Sequence, residues 1–193
     1  MKNLTTRIIA GKYKGKTIDL PALDVTRSSK AILKESFFNV LQFDIVDCVF
    51  VEGFGGSGSI GLEALSRGAY SSYFVEINKG SFRTLCKNCD FIDASNTTTL
   101  FGDTFEILPK LVNTSINATN KRVVLYLDPP FDFRDGMSAI YEKTYDLVKS
   151  IDNENVFLIT FEHKSELMLP DTIGNYTKFK SKKFGNSTLS YYN

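Results

Sequence analysis

Cys48-Val49-Phe50-Val51-Glu52-Gly53-Phe54-Gly55-Gly56-Ser57-Gly58-Ser59-Ile60-Gly61 runs from an apolar stretch into a glycine-rich turn. Its first five residues read as a buried strand. The glycines follow at once, and Ile60-Gly61-Leu62 opens a helical stretch over about 58–68. Glycine lets a backbone take positive φ and approach a ligand closely. A strand, a glycine turn and a helix together open a βαβ unit. The spacing Gly56-x-Gly58-x-x-Gly61 also matches a dinucleotide-binding turn, and a tight packing turn would look much the same.

Downstream, the pattern repeats. Ser72–Glu76, Thr97–Phe101, Val123–Leu127 and Val156–Phe161 are further strand candidates. Helical stretches lie between them at about 79–92, 103–112 and 136–150. Strands separated by helix-length segments predict a mainly parallel sheet covered on both faces. The end differs: Thr172–Lys182 and Thr188–Tyr192 flank Gly185-Asn186, which predicts a closing antiparallel hairpin. Asn113–Asn120 is rich in Ser, Thr and Asn and reads as an exposed loop.

Upstream, Arg7–Ala10 and Lys16–Leu20 flank Gly11 and Gly15 and predict a short hairpin, followed by a helix over roughly 29–43. Residues 1–34 carry a net charge of +6 and the remainder −5, so a basic arm precedes a mildly acidic body. The expected division is an extension over 1–43 and a main domain over 44–193. A chain of 193 residues has room for one domain with such an arm.

Composition excludes several classes. A net charge of +1 argues against binding nucleic acid or membrane by bulk charge, while leaving local patches such as Lys178, Lys180, Lys182 and Lys183. No apolar run approaches the roughly 18 residues of a membrane span. The start lacks the apolar segment of a secretory signal, so the expected compartment is the cytoplasm. Three cysteines argue against a disulfide framework. Cys86-x-x-Cys89 falls inside a helical stretch and reads as a pair of small, packed thiols rather than half a zinc site.

The candidate chemistry lies at strand ends. No Gly-Lys-Ser/Thr follows the glycine turn, so no lysine awaits a triphosphate. Glu52 would repel phosphate and suits a cationic or amine-bearing ligand. Glu76 ends the next strand, where an acid accepts both hydroxyls of a ribose. Asp103, after the third strand, suits an adenine amine. Three such acids around one glycine turn describe an adenosyl ligand without phosphates, and S-adenosylmethionine fits that description. Phe54, Gly55, Gly56, Ser57 and Gly58 complete the expected cofactor wall.

Asp128-Pro129-Pro130-Phe131 follows the strand Val123–Leu127. Two prolines stop the strand and stiffen the corner. The corner presents a carboxylate, a carbonyl and an aromatic ring. Those are the elements that orient the amino group of a planar base.

At this point the chain resembles the RsmD family, bacterial 16S rRNA guanine-N2-methyltransferases. The matching stretches, in order, are Arg7–Gly15, Lys34–Leu41, Phe54–Ala69, Asp128–Phe131 and Phe184–Tyr192. The resemblance implies a Rossmann-like class I methyltransferase fold: a mainly parallel seven-stranded sheet, a C-terminal antiparallel hairpin and a small N-terminal hairpin-plus-helix extension. It implies S-adenosylmethionine as methyl donor and small-subunit rRNA in an assembling subunit as partner, met by a monomer without metal or membrane. Asp128, Pro129, Pro130 and Phe131 would be catalytic, and Arg7, Lys12, Lys14, Arg27 and Ser29 would meet the RNA. Two positions and one segment depart from the family pattern. Glu52 replaces an aspartate, Gly55 replaces an alanine, and Arg27-Ser28-Ser29-Lys30-Ala31-Ile32 keeps only the arginine of the usual segment. The alternatives are an adenine-N6 methyltransferase on DNA, a glutamine methyltransferase, a nicotinamide oxidoreductase and a noncatalytic binding module.

Overall fold

The protein is described as a computed structural model over residues 4–21, 27–130 and 137–193, with the side chains of 27–30 and 137–138 outside the description. The chain begins with a two-stranded hairpin, β1 (Thr5–Arg7) and β2 (Thr17–Asp19), and a helix, α1 (Arg27–Leu41). Alternating units follow: β3 (Val49–Glu52), α2 (Ser59–Ser66), β4 (Ser71–Glu76), α3 (Lys79–Asp93), β5 (Thr97–Phe101), α4 (Thr104–Lys110), β6 (Val123–Leu127) and α5 (Met137–Lys149). The last strands are β7 (Val156–Lys164), β8 (Thr172–Ile173), β9 (Tyr176–Phe184) and β10 (Ser187–Tyr192).

The main sheet runs in the order β5-β4-β3-β6-β7-β10-β9-β8. Strands β3 to β7 pair in parallel, and β10 slots antiparallel between β7 and β9. This is the expected parallel sheet with its closing hairpin. The single strand expected over 172–182 is broken at Gly174-Asn175, so a two-residue strand, β8, is added at the edge beyond the seven expected. The strand order reverses at β3, where β4 lies on one side and β6 on the other. Such a switch point opens a crevice at the carboxyl ends of the strands.

Two apolar layers cover the sheet. On one face Phe50, Phe74 and Tyr126 pack with Phe37 and Phe38 of α1 and with Leu62 and Leu65 of α2. Ile8 and Ile18 of the N-terminal arm belong to this same buried layer. On the other face Val49, Val51 and Leu125 pack with Leu108, Val112 and Tyr141.

The arm is stitched down by specific bonds. Glu63, fully buried on α2, accepts hydrogen bonds from the amides of Ile9 (2.7 Å) and Ala10 (3.0 Å). It also meets Arg67 at 2.9 Å and Lys34 at 3.3 Å. Gly11, at φ +82°, lies so close to α2 that a Cβ there would come within 1.7 Å of the Ser66 carbonyl oxygen. Tyr13 reaches α3 through its hydroxyl, which donates to Asp93 at 2.6 Å.

The segment expected as an exposed loop over 113–120 is helical instead, with π and 3-10 turns over 111–119. Leu108, Val112 and Ile116 are buried at four-residue intervals. That stripe continues the face of α4 and outweighs the polar composition around it. Cys86 and Cys89 are free, and burial pushes the Cys89 thiol up to about 12. Among the described residues, no helix is long and apolar enough to cross a membrane.

Candidate active site

A cavity of about 580 Å³ opens at the carboxyl ends of β3, β4 and β6, within the ordinary range of small-molecule sites. Its floor is the glycine turn. Gly58 caps α2 at φ +76°, a conformation that a residue with a Cβ resists, and Leu85 already stands 2.6 Å from where that Cβ would be. Gly58 shapes the turn but does not line the cavity, whereas Phe54, Gly55, Gly56 and Ser57 do.

Each expected acid borders the cavity, and each is oriented by backbone amides. Glu52 is 5% exposed, and its Oε2 accepts from the Gly61 amide at 2.9 Å, inside the first turn of α2. Glu76 accepts from the Gly56 amide at 2.7 Å and the Asn78 amide at 2.6 Å, which ties the second strand end to the glycine turn. Asp103 caps α4 by accepting from the Phe105 amide at 2.9 Å. Phe54 and Phe105 meet edge to face at 5.9 Å and form an apolar wall.

The proline corner opens on the same cavity. Asp128 is half-buried at the end of β6, Pro129 is buried, and Pro130 is exposed on the rim. Phe131 lies outside the described residues, as do the side chains of Arg27 and Ser29, which begin α1.

Several lining residues carry no sequence signal that singled them out. Thr5, Thr6 and Lys34 bring the arm and α1 to the cavity wall. Lys34 donates to the Arg7 carbonyl at 2.8 Å. Burial lowers its ammonium below the usual lysine range, opposed by Glu63 and Glu52. Tyr126 and Glu162 line the cavity beside Asp128. The Tyr126 hydroxyl donates to Glu162 Oε2 at 2.7 Å. Burial first, then the negative charges of Glu162, Asp128 and Glu52, raise this phenol well above the ordinary tyrosine range. Glu162 has the one available sequence clue: an acid in the last residues of a strand, as at Glu52 and Glu76.

The expected RNA-binding residues of the arm fall elsewhere. Arg7 is exposed and outside the cavity lining. Lys12 and Lys14 are exposed in the hairpin turn, which packs on the carboxyl end of α2. Helix α2, eight residues long, spans about 12 Å, and the cavity is at its other end. The second basic cluster is closer to α1. Lys180 and Lys182 line a groove with Ile32, Glu35 and Ser36, and Lys182 donates to Ser36 at 2.9 Å.

Comparison with known proteins gives the family. A family profile described as "Conserved hypothetical protein 95" matches residues 6–193. Ribosomal RNA small subunit methyltransferase D of Escherichia coli K12 is 30% identical over 189 residues, covering 96% of this chain and 88% of its own. The chain belongs to the RsmD family. The Buchnera aphidicola (Acyrthosiphon pisum) protein of the same name is 28% identical and spans 98% of this chain and 93% of its own. Among solved structures, HI0767 of Haemophilus influenzae superposes with a TM-score of 0.72 at 29% identity, covering 98% of both chains. TYW2 of M. jannaschii, solved in complex with AdoMet, has a TM-score of 0.60 at 15% identity, covers 100% of this chain and 86% of that one, and shares the fold. Within the RsmD family the aspartate expected at the first strand end is Glu52 here. The Glu52 carboxylate accepts from the Gly61 amide. The fold is the Rossmann-like methyltransferase fold.

Proposed function

We propose that this chain transfers a methyl group from S-adenosylmethionine to the exocyclic N2 amine of a guanine in small-subunit ribosomal RNA. One observation carries the reading: Asp128 and Pro130, on either side of the buried Pro129, line the same cavity as Glu52, Glu76 and Asp103. A donor site and an acceptor corner within one enclosure are what direct transfer requires.

The residues fit the methyl donor. Its ammonium and sulfonium are positive, and the cavity wall is rich in carboxylates. Glu52 suits the ammonium, Glu76 the ribose hydroxyls and Asp103 the adenine amine, with Phe54 and Phe105 against the ring. When bound, S-adenosylmethionine supplies an electrophilic methyl group on sulfur.

The chain's own task is to make a poor nucleophile competent. The lone pair of guanine N2 is delocalised into the ring. Asp128 and the Pro129 carbonyl accept its two hydrogens, which draws the nitrogen toward tetrahedral geometry and aims its lone pair. The prolines hold both acceptors without reorganisation. Asp128 need not be a strong base, because the amine becomes acidic once it carries the methyl group. Lys180 and Lys182, in the groove beside α1, suit the RNA backbone. The base must leave its stack to reach the corner.

The test is transfer of labelled methyl to partly assembled small-subunit particles, followed by nucleoside analysis. N2-methylguanosine is the expected product. N6-methyladenosine would overturn the base assignment, and no transfer would overturn the reading as a whole. Asp128→Ala should cut transfer by about 10²–10³-fold while cofactor affinity, measured by calorimetry, stays near wild type.

A further inference from the structure

We propose that Glu162 is a specificity-determining residue that accepts the N1–H of the target guanine while Asp128 takes the neighbouring N2 amine. This deepens the methyl-transfer reading above and rests on it.

Placement comes first. The parallel register pairs Tyr126 with Thr160 and Leu127 with Phe161. Asp128 and Glu162 are therefore the next residues at one level of adjacent strands, whose backbones lie about 4.8 Å apart. Alternation along a strand sends both side chains to the face that Tyr126 occupies. Both border the cavity. Asp128 presents its acid at a proline corner. Glu162 presents its acid from within a strand, paired with Leu189 of β10 and one residue beyond the last pair with β6, Leu127 and Phe161.

The carboxylate is held ready. Glu162 is 4% exposed, yet it lines the cavity. Its Oε2 accepts the Tyr126 hydroxyl hydrogen at 2.7 Å, and among the described residues no other group bonds to this carboxylate. A buried carboxylate with a single donor is costly unless something else supplies hydrogens. The cavity it lines is where water or a bound group supplies that second donor.

Base chemistry identifies the donor. The pairing edge of guanine carries N1–H beside the N2 amine, so two adjacent positions both donate. Adenine carries its amine beside a bare N1, which accepts. Two carboxylates side by side match the first pattern. Against adenine, Glu162 would face a lone pair and lose its second hydrogen bond. Sites that hydrogen-bond a buried substrate group reject the analogue lacking it far more strongly than apolar pockets do.

Glu162→Gln tests this. The shape is kept, and the amide oxygen still accepts from Tyr126. The amide NH₂ then faces the base, donor against the guanine N1–H but complementary to adenine N1. Expected is a fall in kcat/KM on small-subunit particles of about 30-fold or more, with S-adenosylhomocysteine affinity within about twofold of wild type. Once the methylated guanine has been located with the wild-type chain, replacing it by adenine supplies a second measurement. The ratio of adenine to guanine methylation should rise at least about tenfold in Glu162→Gln, which a merely structural role would not produce. Tyr126→Phe, which loosens Glu162 without removing it, should lower kcat/KM by about 3–10-fold.

Wild-type kcat/KM in Glu162→Gln, or an unchanged base ratio, would overturn the assignment and leave the methyl-transfer reading intact. A tenfold loss of S-adenosylhomocysteine affinity would overturn it in favour of a cofactor contact. A wild-type chain that forms no N2-methylguanosine would overturn both.

Discussion

The two ends of α2 each hold a buried glutamate, and the two have opposite fates. At the carboxyl end, Glu63 is enclosed by the arm: two amides, Arg67 and Lys34 all point at it. At the amino end, Glu52 accepts from the Gly61 amide and forms part of the cavity wall. Both side chains are nearly or wholly inaccessible. A buried carboxylate surrounded by the protein's own donors is a clasp. One that also borders a cavity can face a ligand as well as the protein. The charge is the same, and the surroundings decide its use.

Breaking the clasp should have the largest effect. Glu63→Ala leaves Lys34 and two amides facing a void, and should cost about 3–5 kcal/mol of folding stability by chemical denaturation. Because Thr5 and Thr6 of the arm line the cavity, cofactor affinity should fall as well. A loss below about 1 kcal/mol would mean that the arm is held mainly by its apolar residues Ile8 and Ile18.

Glu76→Ala probes the open end. It removes the acceptor for two amides and for the proposed ribose, and should weaken S-adenosylhomocysteine binding by about 10–30-fold in calorimetry. The stability change should be smaller than that of Glu63→Ala, because Glu76 lies at a strand end beside the cavity. Equal losses of stability in the two variants would erase the distinction between clasp and wall.

The lysines sharpen the contrast with the smallest effect. Reversing charge at Lys180 and Lys182 should raise KM for small-subunit particles about tenfold at low salt, shrinking as salt rises. Reversing Lys12 and Lys14, at the closed end of α2, should change KM by less than about twofold. The opposite order would return the RNA to the hairpin turn.

Much of the fold is legible along the chain. The strand candidates from Cys48 to Phe161 all form; Val123–Leu127 is apolar at every position, as a strand buried on both faces must be, while the edge strand Thr97–Phe101 reads through its β-branched threonines. The four-residue spacing of Leu108, Val112 and Ile116 was as readable as those runs, but Asn113, Thr114 and Ser115 masked it. The proline corner is legible for a related reason: proline restricts its own φ and its neighbour's conformation whatever surrounds it.

Local periodicity, turn chemistry and charge along the chain were enough to determine the alternating architecture, the glycine floor and the acid-proline corner, since each acts over a few residues. Only the folded arrangement decided which acids meet. Strand order sets β6 between β3 and β7, which brings Glu52, Asp128 and Glu162 to one cavity wall with the Tyr126 hydroxyl on Glu162. Docking of the arm and α1 on α2 brings Thr5 and Lys34 to the wall and leaves Lys12 and Lys14 at the far end of α2. Those choices depend on which strand lies beside which, and residues far apart in sequence carry no local mark of becoming neighbours.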